Sequence, residues 1–233
     1  MPLILPGNVA SATADVTYNV ANSCRFNDGD SPMMQLTPGS SATDSKKMTI
    51  SFWCKLGALG TNRRVFSASN AGDDGRDSLF FSDEDKLYLF LDNGNPGNLR
   101  TNRLFRDPSA WYHIVVAIDT TQSTDTNRVK FYVNGIQETS FDTGGDGIIW
   151  PDQNYDIVGY GQNGREATIG ADTDGGGNDN EFDGYLAEFV FIDGLQLAPT
   201  SFGEFNEDSP TIWQPIDVSG LTFGSPQIGR AHV

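Results

Sequence analysis

Residues 128–141 carry the feature that constrains this chain most: R-V-K-F-Y-V, then Asn134-Gly135, then I-Q-E-T-S-F. Both central residues of a two-residue type I′ turn need positive φ, and Asn-Gly meets that need at least cost. The flanks alternate, so Val129, Phe131 and Val133 turn toward a core while Lys130 and Tyr132 turn away. One hairpin cannot bury its apolar face alone; it needs further strands and a second layer.

The rest of the chain supplies them. M-T-I-S-F-W-C-K-L at 48–56 alternates the same way, with Ile50, Phe52 and Cys54 on one face and Thr49, Ser51, Trp53 and Lys55 on the other. Shorter strands are predicted at 23–26, 33–36, 63–68, 78–81, 86–91, 111–118, 128–133, 136–141, 166–170 and 184–192, separated by Gly, Asn, Asp and Pro. The 26 glycines and 11 prolines are the turn chemistry such a fold consumes. The one helical turn expected lies in 198–206, with Thr200 or Ser201 as N-cap. The fold class is therefore all-β, a two-sheet antiparallel jelly-roll sandwich with very little helix. At 233 residues it fits one domain, since sandwiches reach this size undivided.

Charge narrows the partners. The formal charge is -16, with no basic stretch, so the long-range field repels phosphate backbones and anionic lipid. Nucleic acid and membrane insertion are excluded as expectations; cations and sugars stay open. Met1 to Pro6 lacks the basic start and apolar length of a signal peptide. Cys24 and Cys54 sit among strand residues, where free thiols pack as small hydrophobes; a mutual disulfide requires their strands to be neighbours.

In order, T-I-S-F-W-C-K, W-Y-H-I-V-V-A-I-D at 111–119, R-V-K-F-Y-V-N-G at 128–135, A-T-I-G at 167–170 and F-D-G-Y-L-A-E-F-V-F-I-D-G at 182–194 resemble the concanavalin A-like superfamily, in its laminin G-like, pentraxin-like branch. R-F-N-D-G-D-S, F-R-D-P-S-A-W-Y-H-I-V and S-F-G-E-F are further similar to laminin G-like proteins of tailed bacteriophages and viral metagenomes. The resemblance implies a virion or extracellular-surface setting after cytosolic synthesis. It implies a module that binds carbohydrate or another virion protein, or one that is purely structural. The expected organisation is an arm at 1–20, the jelly roll at 21–208, and a C-terminal extension at 209–226. Residues 227–233, Q-I-G-R-A-H-V, resemble an in-frame translated sequencing adapter, so the natural gene is expected to continue past Pro226.

Catalysis is not expected. His113 lies mid-strand, where a packed ring is the simpler reading, and no nucleophile occupies a recognisable elbow. Glycoside hydrolysis needs two carboxylates across a cleft. The fold's hydrolases carry E-x-D-x-E along one strand, which this chain lacks, while Asp83-Glu84-Asp85 reads as a turn and Glu188 stands alone. The acidic loop 172–181 offers Asp172, Asp174, Asn178 and Asp179 around three glycines, either a calcium site or a solvated loop. Asp73, Asp74 and Asp77 form a weaker cluster. For ligand contact, Asp92, Asn93, Asn95 and Arg100 supply hydrogen-bonders, with Tyr160 and Asn163, beside Tyr155 and Gln162, on a second loop; ordinary turns have the same composition. Trp53 and Trp111 are expected in packing, and Trp150 as the exposed indole.

Overall fold

The computed structural model describes residues 18–69, 76–92, 97–173, 178–224 and 230–231. Two large antiparallel sheets face each other as a sandwich. The seven-stranded sheet orders β1 (Cys24–Phe26), β14 (Gly184–Asp193), β3 (Lys47–Leu56), β8 (Tyr112–Asp119), β9 (Val129–Val133) and β10 (Ile136–Glu138), with β17 (Arg230–Ala231) also against β14. The six-stranded sheet orders β2 (Met34–Leu36), β11 (Glu166–Ile169), β4 (Arg63–Ser69), β5 (Asp77–Phe81), β6 (Lys86–Leu91) and β7 (Gly97–Leu104). Between them lies the core: Ile50, Phe52, Val116 and Phe131 from one sheet meet Phe66, Leu79, Leu89 and Leu99 from the other. Phe66 ties the layers, edge-on to Phe189 at 5.2 Å between ring centroids.

The hairpin at Asn134-Gly135 forms as its sequence requires, with φ of 49° and 79°. Gly135 has a second duty, because a Cβ there would stand 2.4 Å from the Trp213 ring. Cys24 and Cys54 are both free thiols. They pair with opposite sides of Leu186, so β14 lies between their strands. Two interstrand spacings, ~9.5 Å, exceed the reach of a disulfide.

Three local expectations are corrected. Residues 97–104, where no strand is predicted, form strand β7, whose sequence G-N-L-R-T-N-R-L hides its alternation behind polar outward residues. Its outer backbone is met by the following segment, through bridges Asn98 to Ile149 and Thr101 to Phe141. The strand after the hairpin stops at Glu138, short of 141. The turn near 198–206 is a single 3-10 turn, Pro199–Ser201, entered from Ala198 without a side-chain cap.

The C-terminal segment does not hang off the domain. After β14 the chain returns over the outer face of the seven-stranded sheet, where Phe202 and Val218 pack with Val115, Val190 and Ile192 into a second apolar cluster. Within it, β15 (Gly203–Phe205) pairs with β16 (Trp213–Pro215). The outward Thr49 is buried because its hydroxyl donates to the Leu195 carbonyl at 2.7 Å and accepts the Leu197 N–H at 2.9 Å.

Because Gly135 combines positive φ with contact against Trp213, Gly135→Ala is expected to cost about 1–3 kcal/mol or more. The measurement is the midpoint of denaturant unfolding; an unchanged midpoint would show that the indole is not seated against the turn.

Candidate functional site

Trp213 is held by His113 and Phe205. Its indole N–H donates to His113 Nδ1 at 2.8 Å, and its ring lies 5.9 Å from the imidazole at 23°. Phe205 meets it edge-on at 4.9 Å. Trp53 stacks on a face of the imidazole at 4.8 Å and 27°, while Trp213 meets its Nδ1 edge, so His113 contacts both indoles. An indole N–H only donates, which makes Nδ1 the unprotonated nitrogen. The proton therefore sits on Nε2, 2.9 Å from Ser51 Oγ. Burial pushes His113 down to about 3, so it is a neutral structural ring. In this tautomer the imidazole donates toward Ser51 and cannot take its proton, so the pair is no nucleophile–base dyad.

Beside this stack opens a groove of about 410 Å³, walled by Trp53, Trp111 and Trp213, with Ala187 on the sheet. That volume lies within the range of ligand sites, ~300–1,000 Å³. Residues 20–23 and Gln214 complete it. Trp111 is 39% exposed. The Gln214 amide is oriented: its Oε1 accepts from Asn206 Nδ2 at 2.9 Å and its Nε2 donates to Glu204 Oε1 at 3.2 Å. One N–H and one lone pair then remain for a ligand. No Asp, Glu or His is among the lining residues. The groove accordingly offers stacking and hydrogen bonds without an acid–base pair.

The sequence-predicted residues fall elsewhere. Tyr160 is corrected out of the ligand set: it is wholly buried, stacked on Phe66 at 4.6 Å, with its hydroxyl donating to the Phe66 carbonyl. Asp92 and Tyr155 do meet, 3.4 Å apart, and the Asp92 N–H donates to buried Asp77. Asp77 also accepts the N–H groups of Gly159 and Tyr160; burial raises its pKa to about 6 against the pull of these bonds. Arg100 spans Asp142 at 2.8 Å and the Gly144 carbonyl at 3.2 Å, pinning the segment that covers β7. Asn163 is exposed in a turn. Asn93, Asn95, Asp73, Asp74 and Asp174 lie outside the described residues, and Asn178 and Asp179 are described as backbone only, in a two-residue ladder with Asp172 and Thr173.

Asp172 itself is buried between two guanidinium groups, Arg64 Nε at 3.0 Å and Arg76 Nη1 at 3.4 Å. Arg64 also lies over the Phe80 ring at 3.9 Å, and burial lowers its pKa against the opposing Asp172 charge. Two cations against one carboxylate leave no net negative charge for calcium there, so Asp172 does not fit a metal ligand. Among the described residues no three carboxylate, thiol or imidazole groups converge for a metal.

One indole departs from expectation: Trp150 packs edge-on against Phe141 at 5.3 Å beside the core. Trp53 and Trp111 pack on His113 and Tyr185 as expected, and also line the groove. Trp213 was not foreseen. Its signal was indirect: H-I-V-V-A-I and E-F-V-F-I are apolar at consecutive positions, which marks strands buried on both faces and hence a cover.

Residues 28–195 match the family described as the concanavalin A-like lectin/glucanases superfamily, Laminin_G_3. No curated protein sequence matches the chain. Among solved structures it is similar to domain 4 of AbnA, a GH43 extracellular arabinanase from Geobacillus stearothermophilus, at 19% identity and TM-score 0.54, covering 79% of this chain and 76% of that one. A heptameric SAP-like pentraxin from Limulus polyphemus gives 17% identity and TM-score 0.51, covering 72% and 71%. The mouse laminin alpha1 domains LG4-5 give 12% and 0.51, covering 88% of this chain but only 47% of theirs. These likenesses concern the fold.

Two measurements follow. Since His113 stays neutral while the unfolded chain takes up a proton below 6.5, its contribution to stability is complete above 6.5 and falls as pH drops toward 3, by up to about 1.4 kcal/mol per pH unit. Asp77, raised from 3.8 to about 6, acts in the opposite sense over that window. The test is thus the difference in unfolding free energy between the wild type and His113→Gln, which should shrink from about pH 7 to about pH 5; a constant difference would refute the neutral ring. Asp172→Ala should cost about 3–5 kcal/mol equally in EDTA and in calcium. A loss seen only with calcium would place the cation there after all.

Proposed function

The chain belongs to the concanavalin A-like lectin/glucanases superfamily, and from that premise we propose a non-catalytic, lectin-like module whose tryptophan groove binds a saccharide. The observation that carries this is the wall of Trp53, Trp111 and Trp213 around an open groove with one oriented amide. Pyranose rings present apolar C–H faces that stack on indoles, and hydroxyls that a fixed Gln214 can bond. The arabinanase domain of similar fold was solved with arabinotriose, which supports a fold of this kind as a sugar scaffold. A hydrolase is disfavoured, because cleavage needs two carboxylates flanking the bond and the groove lining has none.

The setting we infer is a virion surface, on the resemblance of R-F-N-D-G-D-S and F-R-D-P-S-A-W-Y-H-I-V to phage proteins. Calcium has no part at Asp172 in this reading. The structural alternative draws on one observation: Ile136, Phe205 and Ile212, all exposed, surround the Trp213 hairpin and would suit packing against another virion protein.

Glycan-array binding followed by calorimetry tests the reading. Trp111→Ala should keep the unfolding midpoint and weaken saccharide binding roughly tenfold or more, about 1.4 kcal/mol. Absence of any saccharide binding, or binding indifferent to Trp111, would favour the packing role instead.

A further inference from the structure

In this acidic protein the described cations are mostly committed to ion pairs: Lys46 to Asp156, Lys47 to Asp44, Arg63 to Asp28, Arg64 and Arg76 to Asp172, Lys86 and Arg100 to Asp142, Arg103 to Glu138 and Arg106 to Asp85. Arg25 and Lys55 are in no ion pair among the described residues. Strand register places them in one row: Arg25 pairs with Tyr185, and Tyr185 pairs with Lys55. Two residues further along each strand on the same face stand Ser23, Ala187 and Trp53, which line the groove. The row is therefore the groove's rim.

The rim is joined to the groove by contact as well. Trp111 lies 6.4 Å from the Tyr185 ring, and Arg25 sits over that ring at 5.5 Å, with its Nη1 donating to the Tyr185 hydroxyl at 3.3 Å. One of the five guanidinium N–H donors is used in that bond, so a fork remains for an oxyanion. Lys130, also without an ion pair, is on β9, away from this row.

We propose that this rim makes the groove selective for a saccharide bearing a carboxylate or sulfate, the sugar ring resting on the indoles and the anion between Arg25 and Lys55. This deepens the saccharide reading and rests on it. The total charge of -16 opposes any anion at long range. Screening at physiological ionic strength limits that field to ~8 Å, so nearby charges decide. Asp183 and Asp30 act on Arg25, and Asp107 lies near Lys55. None of them closes to an ion pair with either cation, whereas an incoming oxyanion meets two positive groups and replaces their water with charge-assisted hydrogen bonds.

The experiment compares matched oligosaccharides by calorimetry: neutral galacto-oligosaccharides against oligogalacturonides of equal length, and lactose against its sulfated and sialylated forms. The acidic member of a pair should bind at least tenfold tighter at low salt, and the advantage should shrink at high salt. In the Arg25→Gln/Lys55→Gln double variant, whose two substitutions are on exposed or half-buried polar side chains, the advantage should vanish while the neutral member binds as before. Equal or better binding of neutral sugars, with Trp111→Ala still abolishing it, would overturn the selectivity and leave the saccharide site standing. Binding of no saccharide at all, or binding untouched by Trp111→Ala, would overturn both. Discrimination between carboxylate and sulfate forms would identify which anion the rim takes.

Discussion

The Trp213 indole N–H finds its acceptor in His113 Nδ1, in the sheet that the indole covers, and much of the molecule's outer architecture is arranged around that bond. It fixes the imidazole tautomer, which in turn gives Ser51 a donor inside a buried face. It places the indole against Gly135, so the hairpin turn must be a glycine for packing as well as for dihedral reasons. Because Trp213 belongs to β16, the same bond ties the β15–β16 pair, and with it one wall of the groove, to the sheet. A neutral imidazole stacked on one indole and hydrogen-bonded at its edge by another has both nitrogens partnered in a buried place, and a charged ring there would lose both its acceptor role and its environment.

The opposite sheet is organised by buried charge. Asp77 gathers three backbone N–H groups from the chain around Gly159 and Asp92, which fastens two loops to β5. Asp172 collects Arg64 and Arg76 at the end of the strand that carries it. Loops that look like ligand-binding material in sequence are thus engaged in holding the scaffold. The tryptophan groove lies on the other sheet, where Trp213 is packed by His113 and Phe205 and Trp111 lies against Tyr185.

The sandwich was legible because its strands alternate and its turns are written in Asn-Gly and Gly-rich steps. Val129, Phe131 and Val133 face the core as the alternation requires. Strand β7 escaped notice because an edge strand with a wet face presents mostly polar residues. The site was barely legible. Polar loop composition drew attention to Arg100 and Tyr160, yet composition does not distinguish a hydrogen bond to a ligand from one to the chain's own backbone. Trp213 comes from a stretch with no periodicity, and its meaning depends on a contact with His113, one hundred positions earlier. Nonlocal contacts of that kind leave only indirect traces in sequence, here the double-sided apolar runs of β8 and β14.

The groove takes one wall from residues 20–23 and another from Trp213, Gln214 and Pro215. Closing a loop of that length is entropically late, because distant segments are joined only after the intervening strands have ordered. During synthesis, then, a chain can pair most of its strands while still lacking the groove. Its walls come together only after residue 215 has left the ribosome and docked, so a chain clipped before Trp213 keeps its sheets and loses that wall.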